Sequence, residues 1–525
     1  MPQQYDQHKA IMKRILHFSI ILLAAISSCS PAFNTTASKD DGHISINFIQ
    51  INDVYEIAPL AGGTEGGLAK VATIKKIYLE KNPNTFLVIA GDFLSPSVYN
   101  SLKFEGKSIR GRQMIEAMNA AGMDIAIFGN HEFDIKEAEL QERINESNFQ
   151  WVASNTFHKQ NGSTVPFAKT TATATTPFPV TYIKTVTDAD GTSVKIGFIG
   201  LTIPFNKANY VSYTDALVSA KELYNRLKDS VDAVIAITHQ SMEEDEKLAR
   251  EIPGLAMILG GHEHDQHFVK IGNVAITKAM ANARSAYVIK LIINKETHSI
   301  KVRSRLEHID ESIVLESATD AVVQRWGKIA ESNYASLGFD AKKEVFNSGE
   351  PLDGRETTIR TGTTTLTKLI VSAMIYAAPK ADVAILNAGS IRVDDILQMP
   401  VTQYDIIRSL PFGGGIREVD MRGSLLVKIL EAGIKNKGTG GYLHYNDDIS
   451  FDADSSKWRL KDAFIEPWKI YRVALSDFLL TGGESNLGFL TAKNADIVKV
   501  YDAETSPADP RSDIRKVVIQ FAGKK

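Results

Sequence analysis

Five apolar segments in the first half of the chain each run into a carboxylate, an amide or an imidazole. Ile44–Ile51 ends in Asn52-Asp53, Thr85–Ala90 in Gly91-Asp92, and Asp124–Phe128 in Gly129-Asn130-His131-Glu132-Phe133-Asp134. Val231–Ile237 ends in Thr238-His239-Gln240, and Leu255–Leu259 in Gly260-Gly261-His262-Glu263-His264-Asp265. Period-two alternation in the first segment and short continuous apolar runs in the others read as β-strands, as does Val194–Leu201. Apolar residues at helical spacing fall between them, at 68–80, 111–121, 216–228 and 242–251. Residues 160–180, with a Thr-rich centre, read as an inserted loop or hairpin. Alternating strands and helices imply a layered α/β fold, in which ligands bind beyond the carboxyl ends of the strands. One polar strand end is an ordinary turn. Ligand-type groups at all five are not explained by solvated turns.

The donor set of carboxylate, amide oxygen and imidazole lacks sulfur and suits Zn, Mn, Fe or Co. It holds more donors than one tetrahedral ion needs, which implies two divalent metal ions. Two ions about 4 Å apart stabilise both oxygens of an in-line phosphoryl displacement and activate water at neutral pH. The chemistry expected is hydrolysis of a phosphate ester. Lys plus Arg total 59 against 62 for Asp plus Glu, a net charge of -3 that does not support a nucleic-acid polymer as partner. At 525 residues the chain is too long for one core.

At the amino terminus, Met12-Lys13-Arg14 precedes an apolar run, Ile15–Ile26, and then Ser27-Ser28-Cys29. This is the layout of a secretory signal. Ile26-Ser27-Ser28-Cys29 also resembles the bacterial lipobox, with Cys29 as the lipidated residue. The expectation is an exported protein with a signal at 1–29 and a polar tether at 30–43. Its lipid alone would hold it to the cell envelope, on the periplasmic side or the cell surface. Cys29 is the only cysteine, so neither an internal disulfide nor a thiolate ligand is available.

The order Asp53-Val54-Tyr55, Gly91-Asp92, Gly129-Asn130-His131-Glu132, Thr238-His239 and Gly260-Gly261-His262-Glu263-His264 resembles the calcineurin-like metallophosphatases, and more narrowly the 5'-nucleotidase family. The resemblance implies an α/β protein whose first domain, residues 44–314, is an αββα sandwich. By the same resemblance Asp92 bridges two ions. Asp53 and His264 hold one ion; Asn130, His239 and His262 hold the other. His131, steadied by Asp134, forms the dyad that serves the phosphate and the leaving group. The family has His where this chain has Tyr55, a poorer ligand given the phenol pKa near 10. Glu56, water or a strongly acidic ion that deprotonates the phenol are the ways to fill that position.

Residues 315–335 read as a linker helix, and 336–525 resemble the family's carboxyl-terminal α/β (α+β) substrate domain. The carrying segments are Ala384–Arg392, Leu410–Gly415 and Asp477–Glu484. The resemblance implies that Phe412 and Phe478 sandwich a nucleobase and that Asn387, in the loop with Gly389, hydrogen-bonds it. Arg360 and Arg392 would hold ribose or phosphate. Glu484 stands where the family has Asp. The implied partner is a small nucleotide or phosphate ester. The rival expectations are other phosphate esters (nucleotide sugars, cyclic nucleotides, sugar phosphates) and a non-catalytic nucleotide-binding lipoprotein.

Overall fold

The computed structural model describes residues 40–204, 208–506 and 508–524. The signal-like segment and Cys29 lie outside the described residues. Two six-stranded sheets pack face to face. The first runs Ser299–His308, Ser285–Asn294, His43–Ile51, Thr85–Ile89, Ile125–Ala126 and Gln150–Trp151; the second runs Tyr182–Thr187, Ser193–Thr202, Ala233–His239, Met257–Gly260, Val274–Lys278 and His267–Ile271. Residues alternate between faces, so Phe48 and Val88 point into the space between the sheets and meet Phe198, Ile235 and Leu259. Phe48 and Phe198 touch edge to face across it, with centroids 6.0 Å apart. Contacts of this kind add about 0.5–1.5 kcal/mol beyond area burial.

Helices cover both outer faces. Leu68–Lys81, Arg112–Ala120 and Glu137–Glu146 lie on the first sheet; Ala216–Leu227 and Met242–Glu251 lie on the second. This is the αββα sandwich. Central strands such as Ala233–His239 are buried along their whole length because both faces are covered. The insertion is a pair of hairpins, Thr156–Gln160 with Ser163–Val165 and Ala168–Thr170 with Thr175–Pro177.

The helix expected at 315–335 spans Ser317–Ser336, started by Glu316, whose carboxylate accepts from the Thr319 amide at 2.8 Å. It is not a free spacer. Val323, Trp326, Ala330 and Tyr334 join the core outside the first sheet, and the Trp326 indole donates to Glu116 Oε2 at 3.0 Å. Beyond it a five-stranded sheet runs Leu443–Tyr445, Val383–Asn387, Ile470–Ser476, Ile416–Arg422 and Ile497–Val500. Ala384 and Leu386 face the helices Thr365–Ala377 and Ile514–Ala522, while Val383 and Ile385 face Gly423–Lys435. Side-chain pairs tie the elements around this sheet to the sandwich. Tyr404 Oη donates to Glu56 Oε2 at 3.2 Å, and Arg284 Nη2 lies 2.6 Å from Asp395 Oδ2.

Candidate metal centre and active site

All five polar strand ends meet at one end of the sandwich. Asp53, Asp92, His262 and His264 each hold a left-handed backbone, with φ of 52°, 55°, 90° and 63°. Residues with side chains rarely adopt this region, and such strain persists where the surrounding structure fixes it, commonly at functional sites. Two glycines allow the loops to close in. A Cβ on Gly129 would lie 2.1 Å from Asp92 Oδ1, and one on Gly261 would lie 2.5 Å from the Ala90 carbonyl.

One donor atom from each of Asp53, Asp92 and His239 lies within 4.8 Å of the others, all three side chains being buried. His239 Nδ1 faces the Ala90 carbonyl at 2.8 Å, which in the neutral ring puts the proton there and leaves Nε2 for the cluster. The amide of His262 donates to Asp53 Oδ2 at 2.9 Å, and that of His131 donates to Asp92 Oδ1 at 2.8 Å. His239 and His262 rings stand 5.2 Å apart. Burial opposes a charge on His239, yet Asp92 and Asp53 outweigh it and lift its pKa to about 9. Burial also raises the Asp53 and Asp92 carboxyls, but the neighbouring imidazoles more than offset this and hold both below the usual carboxylate range. Burial, helped by the charge on His239, pushes His262 down to about 4 and keeps it neutral.

The residues present fit metal ions. Among the described residues, Asn130 Oδ1 is buried without a hydrogen-bond partner, which native interiors rarely tolerate unless another ligand completes it. Tyr55 hydrogen-bonds into the cluster. Its Oη lies 2.9 Å from His264 Nε2, 3.3 Å from Asp92 Oδ2 and 3.5 Å from Asp53 Oδ1; His264 Nε2 lies 3.4 Å from Asp53 Oδ1. Burial, then Asp92 and Asp53, hold the phenol well above its ordinary pKa. Glu56 does not fill the gap at Tyr55, contrary to one expectation. Its Oε1 accepts from the Val98 amide at 3.1 Å and its Oε2 from Tyr404, so the carboxylate is committed to the interface.

The hexapeptide Gly129–Asp134 divides by role. His131 Nδ1 pairs with Asp134 Oδ2 at 2.6 Å, and Ser95 Oγ donates to the same oxygen at 3.2 Å. Glu132, by contrast, is buried and structural. It accepts from the amides of Asp92, Phe93, Leu94 and Gly129 at 2.6–3.0 Å and binds two strand ends together. Nothing in the motif separates it from a ligand; only the backbone amides around it do. A second buried support was also missed. Lys278 Nζ lies 3.0 Å from Asp245 Oδ2, donates to the Gln240 carbonyl at 2.6 Å and pairs with Glu263, beneath the loop that carries His262 and His264.

From the loop after Val383–Asn387 in the five-stranded sheet, Arg392 Nη2 reaches within 3.4 Å of His131 Nδ1. Arg360 pairs with Glu356, and burial, helped by the charge of Arg392, lowers its pKa. Asn387 is buried, donates to Glu484 Oε2 at 2.7 Å and accepts from Ser390 Oγ at 2.6 Å, while Gly389 closes against Gly440. Phe412 and Phe478 are 61% and 44% exposed, so core packing does not account for them.

Residues 46–266 match the family model for calcineurin-like phosphoesterase, and residues 343–492 match that for the 5'-nucleotidase C-terminal domain. The chain is 24% identical over 486 residues to the 5'-nucleotidase of Bos taurus, covering 82% of this chain and 80% of that one. Its fold is that of the 5'-nucleotidase precursor of Thermus thermophilus, with a TM-score of 0.69 and 19% identity over 92% of this chain and 96% of that one. Sulfate thiohydrolase SoxB of the same organism shares it too, at a TM-score of 0.64 and 15% identity over 91% and 94%. With both domain models matched in order and relatives of this kind along most of its length, the chain belongs to the 5'-nucleotidase family of metallophosphoesterases.

Proposed function

We propose that the chain hydrolyses a nucleoside 5'-monophosphate, or a closely related nucleotide, to release phosphate. The fold alone does not choose this substrate, since one neighbour of the same fold is a sulfate thiohydrolase. The observation that carries the reading is Arg392 of the second domain, which comes within 3.4 Å of His131 beside the buried Asp53-Asp92-His239 cluster. A fork of donors for phosphate thus faces the donor cluster across the interface.

In this reading Asp53, Asp92 and His264 would hold one divalent ion and Asp92, Asn130, His239 and His262 a second, with the Tyr55 hydroxyl beside the first. When bound, such ions supply Lewis acidity to the phosphoryl oxygens and an activated water. Asp134 fixes the His131 ring through Nδ1 and leaves Nε2 to donate to the phosphate or the leaving oxygen. Arg392, with Arg360 behind it, neutralises the phosphate or holds the ribose. The exposed Phe412 and Phe478 offer π faces for a base, and Glu484 holds Asn387 at the angle from which it reads the base edge. We take residues 44–314 as the catalytic domain and 336–525 as the substrate domain, joined by the helix between them. The signal-like amino terminus supports export with a lipid anchor at Cys29. Among the described residues no helix is long and apolar enough to cross a membrane.

A phosphate-release panel of nucleoside monophosphates, nucleotide sugars, cyclic nucleotides and sugar phosphates, run with Mn, Zn and Co, tests the reading. Highest turnover on a 5'-monophosphate supports it. Tight nucleotide binding without turnover under every ion contradicts it.

A further inference from the structure

His264 faces both domains. Its Nε2 lies among Tyr55 and Asp53, while its Nδ1 hydrogen-bonds the carboxylate of Asp394, which belongs to the second domain. Asp394 is itself held, since its Oδ1 accepts from the Glu356 amide at 2.6 Å, and its backbone is left-handed with φ of 40°. The adjacent Asp395 takes Arg284 of the first domain at 2.6 Å, so two consecutive carboxylates clasp two first-domain side chains. They are not equivalent. Arg284 stabilises docking alone, whereas His264 is part of the cluster.

We propose that Asp394 is a positioning residue that couples the seating of the second domain to ion binding at His264. The inference rests on the reading of the cluster given above. A carboxylate on Nδ1 fixes the tautomer and ring orientation and makes Nε2 a stronger donor, and losing such a partner typically lowers metal affinity about 10–100-fold. Here the partner arrives only when the second domain is seated. Linkage then makes the effect reciprocal: seating raises ion affinity by the same factor by which the ion favours seating. The position built around Asp53 and His264 is complete in the docked arrangement only. Among the described residues, Asn130, His239 and His262 make no such contact with the second domain.

The test uses the full chain. Zn2+ or Mn2+ affinity is measured by competition with a chromophoric chelator, and the interdomain distance is read by FRET between labels placed on each domain, with and without ion. Wild type is expected to bind two ions and to show a shorter, narrower distance distribution when both are bound. Asp394→Asn is expected to weaken one ion about 10–100-fold, to leave the other unchanged, and to lose the ion-dependent shift in distance. Asp394→Glu, which keeps the charge, is expected to fall between the two, and Asp395→Asn to widen the distances while keeping their response to ion. If Asp394→Asn folds poorly, the wild-type distances decide alone: no response to ion overturns the proposal. Unchanged affinity for both ions in Asp394→Asn overturns it while leaving the reading of the cluster intact. Failure of wild type to bind any ion overturns both.

Discussion

His239 brings its Nε2 to 3.1 Å from Oδ2 of Asp92, although the two follow strands of different sheets. The cluster therefore pins the open ends of the sandwich to each other, and an ion bound there stabilises the folded chain alone. At 100 times its dissociation constant a ligand contributes about 2.7 kcal/mol. Stripping the ions with a chelator is expected to lower the melting temperature of the first domain by roughly 5–10 °C, reversibly on adding ion back. Calorimetry checks this, and identical melting with and without chelator contradicts it.

Glu132→Gln tests the division of roles within the hexapeptide. The amide offers one acceptor where four backbone N–H groups now meet a carboxylate, so the folded chain is expected to lose roughly 2–4 kcal/mol. Denaturant titration measures it. A loss under about 0.5 kcal/mol would place Glu132 among ordinary surface residues.

Burial lifts the Glu56 carboxyl to about 7 from 4.5. The folded chain then keeps this proton across a range where the unfolded chain releases it, so the group lowers stability as pH rises from about 4.5 to 7. Glu56→Gln removes that slope. At roughly 1.4 kcal/mol per pKa unit, the variant is expected to gain on the order of 3 kcal/mol relative to wild type between pH 4.5 and 8. Parallel pH profiles of the two proteins contradict the assignment.

Phe412→Ala and Phe478→Ala separate base recognition from chemistry. Stacking on an aromatic ring is worth about 1–3 kcal/mol per base, so KM for a nucleotide is expected to rise roughly 5–150-fold while turnover of p-nitrophenyl phosphate stays level. Both rings are exposed, and melting temperature is expected to hold. Equal loss on both substrates would assign the rings to packing.

Much of the site was legible because strand ends are local features. Apolar runs closing on Asp53, Asp92, Asn130, His239 and His262 announce both the fold layers and their shared end. Exposure of Phe412 and Phe478 was not legible, since glycine and leucine neighbours suit a core equally well. Glu132 was not separable from a ligand, because its partners are amides of another strand end. The pairing of His264 with Asp394 joins residues far apart in sequence, and it depends on how two domains dock, which periodicity does not encode.

The central claim is that the buried cluster performs metal-dependent phosphate release from a nucleotide. The direct measurement is phosphate released from a nucleoside 5'-monophosphate by the ion-loaded wild type and by Asp92→Asn. The account predicts turnover by wild type, its loss on chelation, and a fall of at least about 10²–10³-fold in Asp92→Asn with retained fold. Turnover by Asp92→Asn equal to wild type, or none by wild type with any ion, would contradict it.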